Sequence, residues 1–172
     1  MAADSSAAER PVLLRVADSL DALNTWIGRS VSWLSLIMVV TTFLVVLLRY
    51  AFDLGWITMQ ESVTYMHAAL FMLGTAYTLR LNGHVRVDII YQKMSRRGKA
   101  WVDLLGTLLL LTPVCVFIAS IGWQYVSESW RVMEGSREAG GIQGVYLLKT
   151  LILVMPLLVL MQGLSMGCLL YT

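Results

Sequence analysis

Four stretches of this chain carry no Asp, Glu, Lys or Arg: Ser30–Leu48, Ser62–Leu79, Leu104–Ser127 and Thr150–Thr172. None shows the period-two alternation of a strand. Each approaches the roughly 20 apolar residues that an α-helix needs to cross about 30 Å of hydrocarbon. A helix also satisfies its own backbone in lipid. The pattern therefore predicts an all-α membrane protein with four transmembrane helices, at 28–50, 60–81, 100–128 and 147–171, in a single membrane domain over 1–172. The first run is long, starts after a polar stretch and lacks a small-x-small site behind it, so it is expected to be retained rather than cleaved.

Between the runs the pattern changes. Val12, Val16, Leu20, Leu23 and Ile27 recur at three- and four-residue steps after Pro11, with Arg15, Asp18, Asp21 and Asn24 between them. This reads as an amphipathic helix over 11–27, lying on the membrane surface or extending the first span, behind a disordered tail at 1–10. Residues 83–95 form a connecting segment. Asn82-Gly83 signals the end of the second helix, Val85, Ile89, Ile90 and Met94 suggest a short surface helix, and Ser95 is a candidate N-cap for the third. Residues 129–146 form the second loop on the opposite side.

The composition agrees: of 172 residues, 58% are hydrophobic and 14% charged, against about 25% charged in soluble domains. Cys115 and Cys168 lie inside apolar runs, which argues against a disulfide framework. The 13 Lys and Arg residues are unevenly placed. Arg10, Arg15, Arg29, Arg80, Arg86, Lys93, Arg96, Arg97 and Lys99 share one side of a four-span topology; Arg49, Arg131, Arg137 and Lys149 fall on the other. Cationic loops stay inside, so both termini are expected in the cytoplasm.

Little in the sequence suggests chemistry. His67 is the sole ionisable side chain in the middle of a run, and such a histidine more often bonds a neighbouring helix than binds a ligand. His67 and His84 are too far apart along the chain to clamp one haem. No zinc spacing, phosphate loop or catalytic triad stands out, so no catalytic, cofactor or metal residue is assigned and the chain does not read as an enzyme. Gly163 and Gly167, four residues apart, permit close helix approach. Arg49 and Glu61 flank the first turn, and either pair with each other or are solvated separately. Trp56 between them reads as an interfacial anchor.

Three stretches resemble the small, four-helix Q-type membrane subunit of tripartite ATP-independent periplasmic (TRAP) transporters. They are Arg49-Tyr50-Ala51-Phe52-Asp53 with Trp56 and Glu61, the run Leu73-Gly74-Thr75-Ala76-Tyr77-Thr78-Leu79-Arg80, and His84-Val85-Arg86-Val87-Asp88. The step from Trp56 to Glu61 is longer than is usual in that family. Ser136–Gly141 and Leu147–Thr150 look like the mannitol/chloroaromatic or 2-oxo acid branch. The resemblance implies a bacterial inner-membrane protein with two partners, a large multi-helix membrane subunit and a periplasmic solute-binding protein, and no nucleic acid. It implies a scaffold role in sodium-coupled uptake of a small organic acid, with Na+ held by the large subunit and no cofactor on this chain. Arg49, Tyr50, Trp56, Glu61, Gly74, His84, Arg86 and Asp88 are then candidates for subunit packing. The competing classes are a self-sufficient small multidrug-type transporter, which would place a glutamate inside the membrane where Glu61 sits only at a helix edge, and a haem-binding anchor of a redox enzyme.

Overall fold

The computed structural model describes residues 12–81, 83, 91 and 93–171, with the side chains at 12–14, 96, 97, 100 and 167–171 outside that description. The expected tail at 1–10 and most of the connecting segment at 83–95, including His84, Arg86 and Asp88, also lie outside it.

The described residues are all helical or irregular. Helix α1 runs from Val12 to Phe52 over 41 residues, about 61 Å at 1.5 Å per residue. The amphipathic segment and the first span are thus one unbroken rod, twice the thickness of the hydrocarbon layer. Hydroxyls along it do not interrupt the helix, because they donate to carbonyls one turn back: Ser32 to Gly28, Thr41 to Ile37 and Thr42 to Met38, all within 2.8 Å. Asp53 ends α1 at φ 55°, in the left-handed region that Asp tolerates.

After a four-residue turn, α2 spans Ile57–Arg80, and Gly83 closes it by donating to the Thr78 carbonyl at 2.9 Å. Ser95 caps α3 (Arg96–Gly106), its Oγ accepting from the Gly98 N–H at 3.2 Å. A π-helical turn at Thr107–Leu111 joins α3 to α4 (Thr112–Arg131). Pro113 accounts for its position. A proline ring crowds the carbonyl four residues back, and the wider turn absorbs that clash without ending the helix. The final helix, α5, spans Val145–Tyr171 with Pro156 inside it.

At the centre lies α5, packed on α1, α2 and α4, while α1 packs on α2. The small core is built from Ala76, Cys115, Leu158 and Val159, flanked by Ile27, Leu73, Leu111 and Met155. Gly163 lets the π-helical turn approach α5: a Cβ there would stand 2.7 Å from Leu111 Cδ2 and 3.0 Å from Thr107 Cγ2. The surroundings of Gly167 lie outside the description.

Among the described residues, three segments are long and apolar enough to cross a membrane: Arg15–Phe52, Trp101–Arg131 and Val145–Met166. Although α2 has 24 residues, it is less apolar, with Thr58, Thr64, His67, Thr75 and Thr78 along its length. The large side chains of α1 stand out from the bundle, Trp33, Leu36, Val40 and Phe43 among them, as a lipid-facing surface requires.

Candidate functional site

The polar side chains that the bundle holds between its helices gather at its two ends. At the end holding Arg80, α1 turns Ala17, Asp21, Asn24, Gly28 and Val31 toward α2 and α5. This face lies beside the apolar stripe of Val12, Val16, Leu20, Leu23 and Ile27. Val16 and Leu23 of the apolar stripe are 51% and 41% exposed, whereas Asn24 is 1% exposed. Polar complementarity decides the rotation. The Asn24 amide donates to Gln162 Oε1 at 2.8 Å, and Gln162 Nε2 donates to Asp21 Oδ1 at 2.9 Å. Ser165 Oγ contacts the same carboxylate oxygen at 2.6 Å and the Ala17 carbonyl at 3.2 Å. Arg80 Nε donates to Asp21 Oδ2 at 3.2 Å, so one carboxylate ties three helices. Gln162, at 0% exposure, is held through both ends of its amide.

The opposite end is tied by the segment that follows α4. Glu61 accepts from Ser136 Oγ and, at 2.6 Å, from the Ile142 N–H. Its carboxylate is therefore taken up by the 136–142 loop, and the Arg49–Glu61 pair allowed by the sequence does not form. Thr58 donates to the Gly140 carbonyl. Glu134 accepts from Ser129 Oγ at 2.7 Å and from Lys149, whose ammonium also lies 3.9 Å from the centroid of the Tyr125 ring. Trp130 Nε1 donates to Thr150 Oγ at 2.8 Å, and its ring meets Tyr146 edge-on. Arg49, Tyr50 and Trp56 are exposed around this end, and Trp56 precedes α2 in extended backbone.

These ties carry a pH dependence. The hydrogen bond from Lys149, followed by that from Ser129, holds the Glu134 carboxyl below its ordinary value. A depressed carboxyl contributes stability above the unfolded value, about 4.3. That contribution is lost as pH falls through the lower folded value. Glu134→Gln is therefore expected to melt below wild type at pH 7, with the gap closing in acid. A gap of constant size from neutral pH down to about 3 would show that ionisation of the carboxyl adds nothing to the tie.

Among the described residues no three His, Cys, Asp or Glu side chains gather into a group able to hold a metal ion. The arrangement braces helices; its acidic groups are engaged by protein donors. Of the residues singled out from the sequence, the structure brings Glu61 and Gly163 into packing contacts and leaves Gly74 on a groove between α1 and α2, with nothing within 4 Å of an added Cβ. The sequence pattern marks Asp21 and Asn24 only as the polar side of the amphipathic segment, and it does not single out Gln162 and Ser165. The available signal was two polar residues, three apart, inside the otherwise apolar fourth run.

A family model described as "Tripartite ATP-independent periplasmic transporters, DctQ component" matches residues 38–169. No curated protein and no solved structure matches the chain.

Proposed function

The chain belongs to the DctQ component family of tripartite ATP-independent periplasmic transporters, and from that premise we propose that it is the fixed brace of such a transporter. It is a multi-pass inner-membrane protein of a transporter-component family, not of an enzyme family. In our reading α2 is a fourth span, antiparallel to α1 across the 53–56 turn, and the nine-to-four division of cations places both termini in the cytoplasm. The large membrane subunit carries the solute, a small organic acid, together with Na+. A periplasmic binding protein delivers the solute.

One observation carries this reading. Asp21 and Glu134, the acids nearest the polar ties, are engaged by donors on neighbouring helices, as is Gln162 deep in α5. A carrier needs polar groups left open to its cargo near the membrane midplane. Here Asp21, Glu134 and Gln162 lock one helix to the next.

Reconstitution tests the proposal. Liposomes with this chain alone should show no sodium-dependent uptake, whereas those with this chain, the large subunit and the binding protein should take up solute. Uptake by the chain alone, or undiminished uptake when it is omitted, would overturn the brace assignment.

A further inference from the structure

The outward side of α2 is unlike the outward side of α1. Gln60, Thr64, His67, Phe71, Thr75 and Thr78 follow at steps of three and four residues, so they form one stripe along the helix. All but the half-buried Thr75 are exposed, Phe71 to 67%. Five of the six carry hydrogen-bonding side chains. The corresponding surface of α1 is Leu36, Val40, Phe43 and Leu47.

Lipid accounts for the second surface and not the first. Thr75 and Thr78 satisfy their hydroxyls on the Phe71 and Gly74 carbonyls, at 2.5 and 3.0 Å. His67 has no such recourse. Its ring leans on Phe71, with centroids 5.0 Å apart, and it has no hydrogen-bond partner among the described residues. It lies ten residues into α2, about 15 Å along the axis. That is mid-layer, where an imidazole facing acyl chains leaves both nitrogens unsatisfied. Beside it runs a groove of ≈340 Å³ between α1 and α2, lined by Gly28, Ser32, Gly74 and Thr75 among others. Small residues of this kind let another helix come close.

We propose that this stripe and groove seat a transmembrane helix of the large transport subunit, one that presents a hydrogen-bonding side chain opposite His67. The proposal rests on the brace assignment above and names the face through which the brace grips. A lipid tail would fill the groove and leave His67 unsatisfied. A second copy meeting this one through the same patch would set groove against groove, with no ridge to fill either.

The test uses the complete membrane complex. A photo-activatable benzophenone side chain is placed at Thr64, His67 or Phe71, and in parallel at Leu36, Val40 or Phe43 of α1. Irradiation should join the large subunit from the α2 positions and not from the α1 positions. His67→Leu should lower the large subunit recovered with the chain by about threefold to tenfold, and His67→Asn should restore part of it. Cross-links to the large subunit from α1 alone would overturn the seat and leave the brace standing. Cross-links from α2 to lipid or to a second copy would also overturn it. Failure of the unmodified chain to retain any large subunit would bring down the brace itself, and the seat with it.

Discussion

Asp21→Ala is expected to lower the stability of the folded chain by roughly 2–4 kcal/mol. The carboxylate engages Gln162 Nε2, Ser165 Oγ and Arg80 Nε. Truncation removes the acceptor of three polar groups at once, two of them on residues almost wholly buried, and leaves Ser165 only the longer contact to the Ala17 carbonyl. The upper end of a buried-pair penalty does not apply, because the Arg80 side chain is 34% exposed and partly solvated. Asp21→Asn keeps an oxygen for one donor and loses the charge, so it should fall between alanine and wild type. Unfolding in detergent reads both. Asp21→Ala combined with Ser165→Ala should cost less than the two separate losses together, because they share one hydrogen bond. A midpoint for Asp21→Ala indistinguishable from wild type would mean that the three helices are held by apolar contact alone.

That network marks the boundary between what the residue pattern reveals and what it hides. Long charge-free runs are legible because hydrocarbon tolerates few alternatives, and α1, α4 and α5 follow from them directly. Ser95 and Gly83 are legible because capping is local, decided within a few residues. The rotation of α1 is not. It depends on Gln162 and Ser165, which lie 138 to 148 residues away from their partners, and a stripe of Val and Leu is acceptable in lipid as well as in a core. The apolar face therefore does not say which way a membrane helix turns; the polar residues do, through the partners they find. Glu61 illustrates the same limit. Its nearest opposite charge in sequence is across the 53–56 turn, yet its actual donors come from residues 136 and 142, carried back by the loop after α4. The π-helical turn is half legible: Pro113 announces a disturbance, and only the structure shows that the helix continues through it as a wider turn lying against Gly163.

Two glycines in this fold should respond to alanine in opposite ways. At Gly28 an added Cβ falls inside the contact shell of Tyr77 Cβ and Cγ, with Tyr77 Cδ1 at 2.7 Å. The obstacle begins at the first atom of the Tyr77 side chain, so a rotamer change does not clear it and α1 must move away from α2. Overpacking of this kind costs about 1–3 kcal/mol, which outweighs the roughly 1 kcal/mol that alanine gains over glycine in a helix. Gly28→Ala should thus lower the midpoint of the chain in detergent, with or without its partner. Gly74 stands one face around α2, and nothing lies within 4 Å of its added Cβ. Gly74→Ala should leave the isolated chain as stable as wild type or slightly more so. Inside the complex the same methyl group enters the groove assigned to the partner helix, and less large subunit should be recovered. If both variants weaken the isolated chain equally, Gly74 is an internal packing position and the groove is closed in solution. If neither weakens it, α1 and α2 do not make the close contact that brings Asp21 within reach of Arg80.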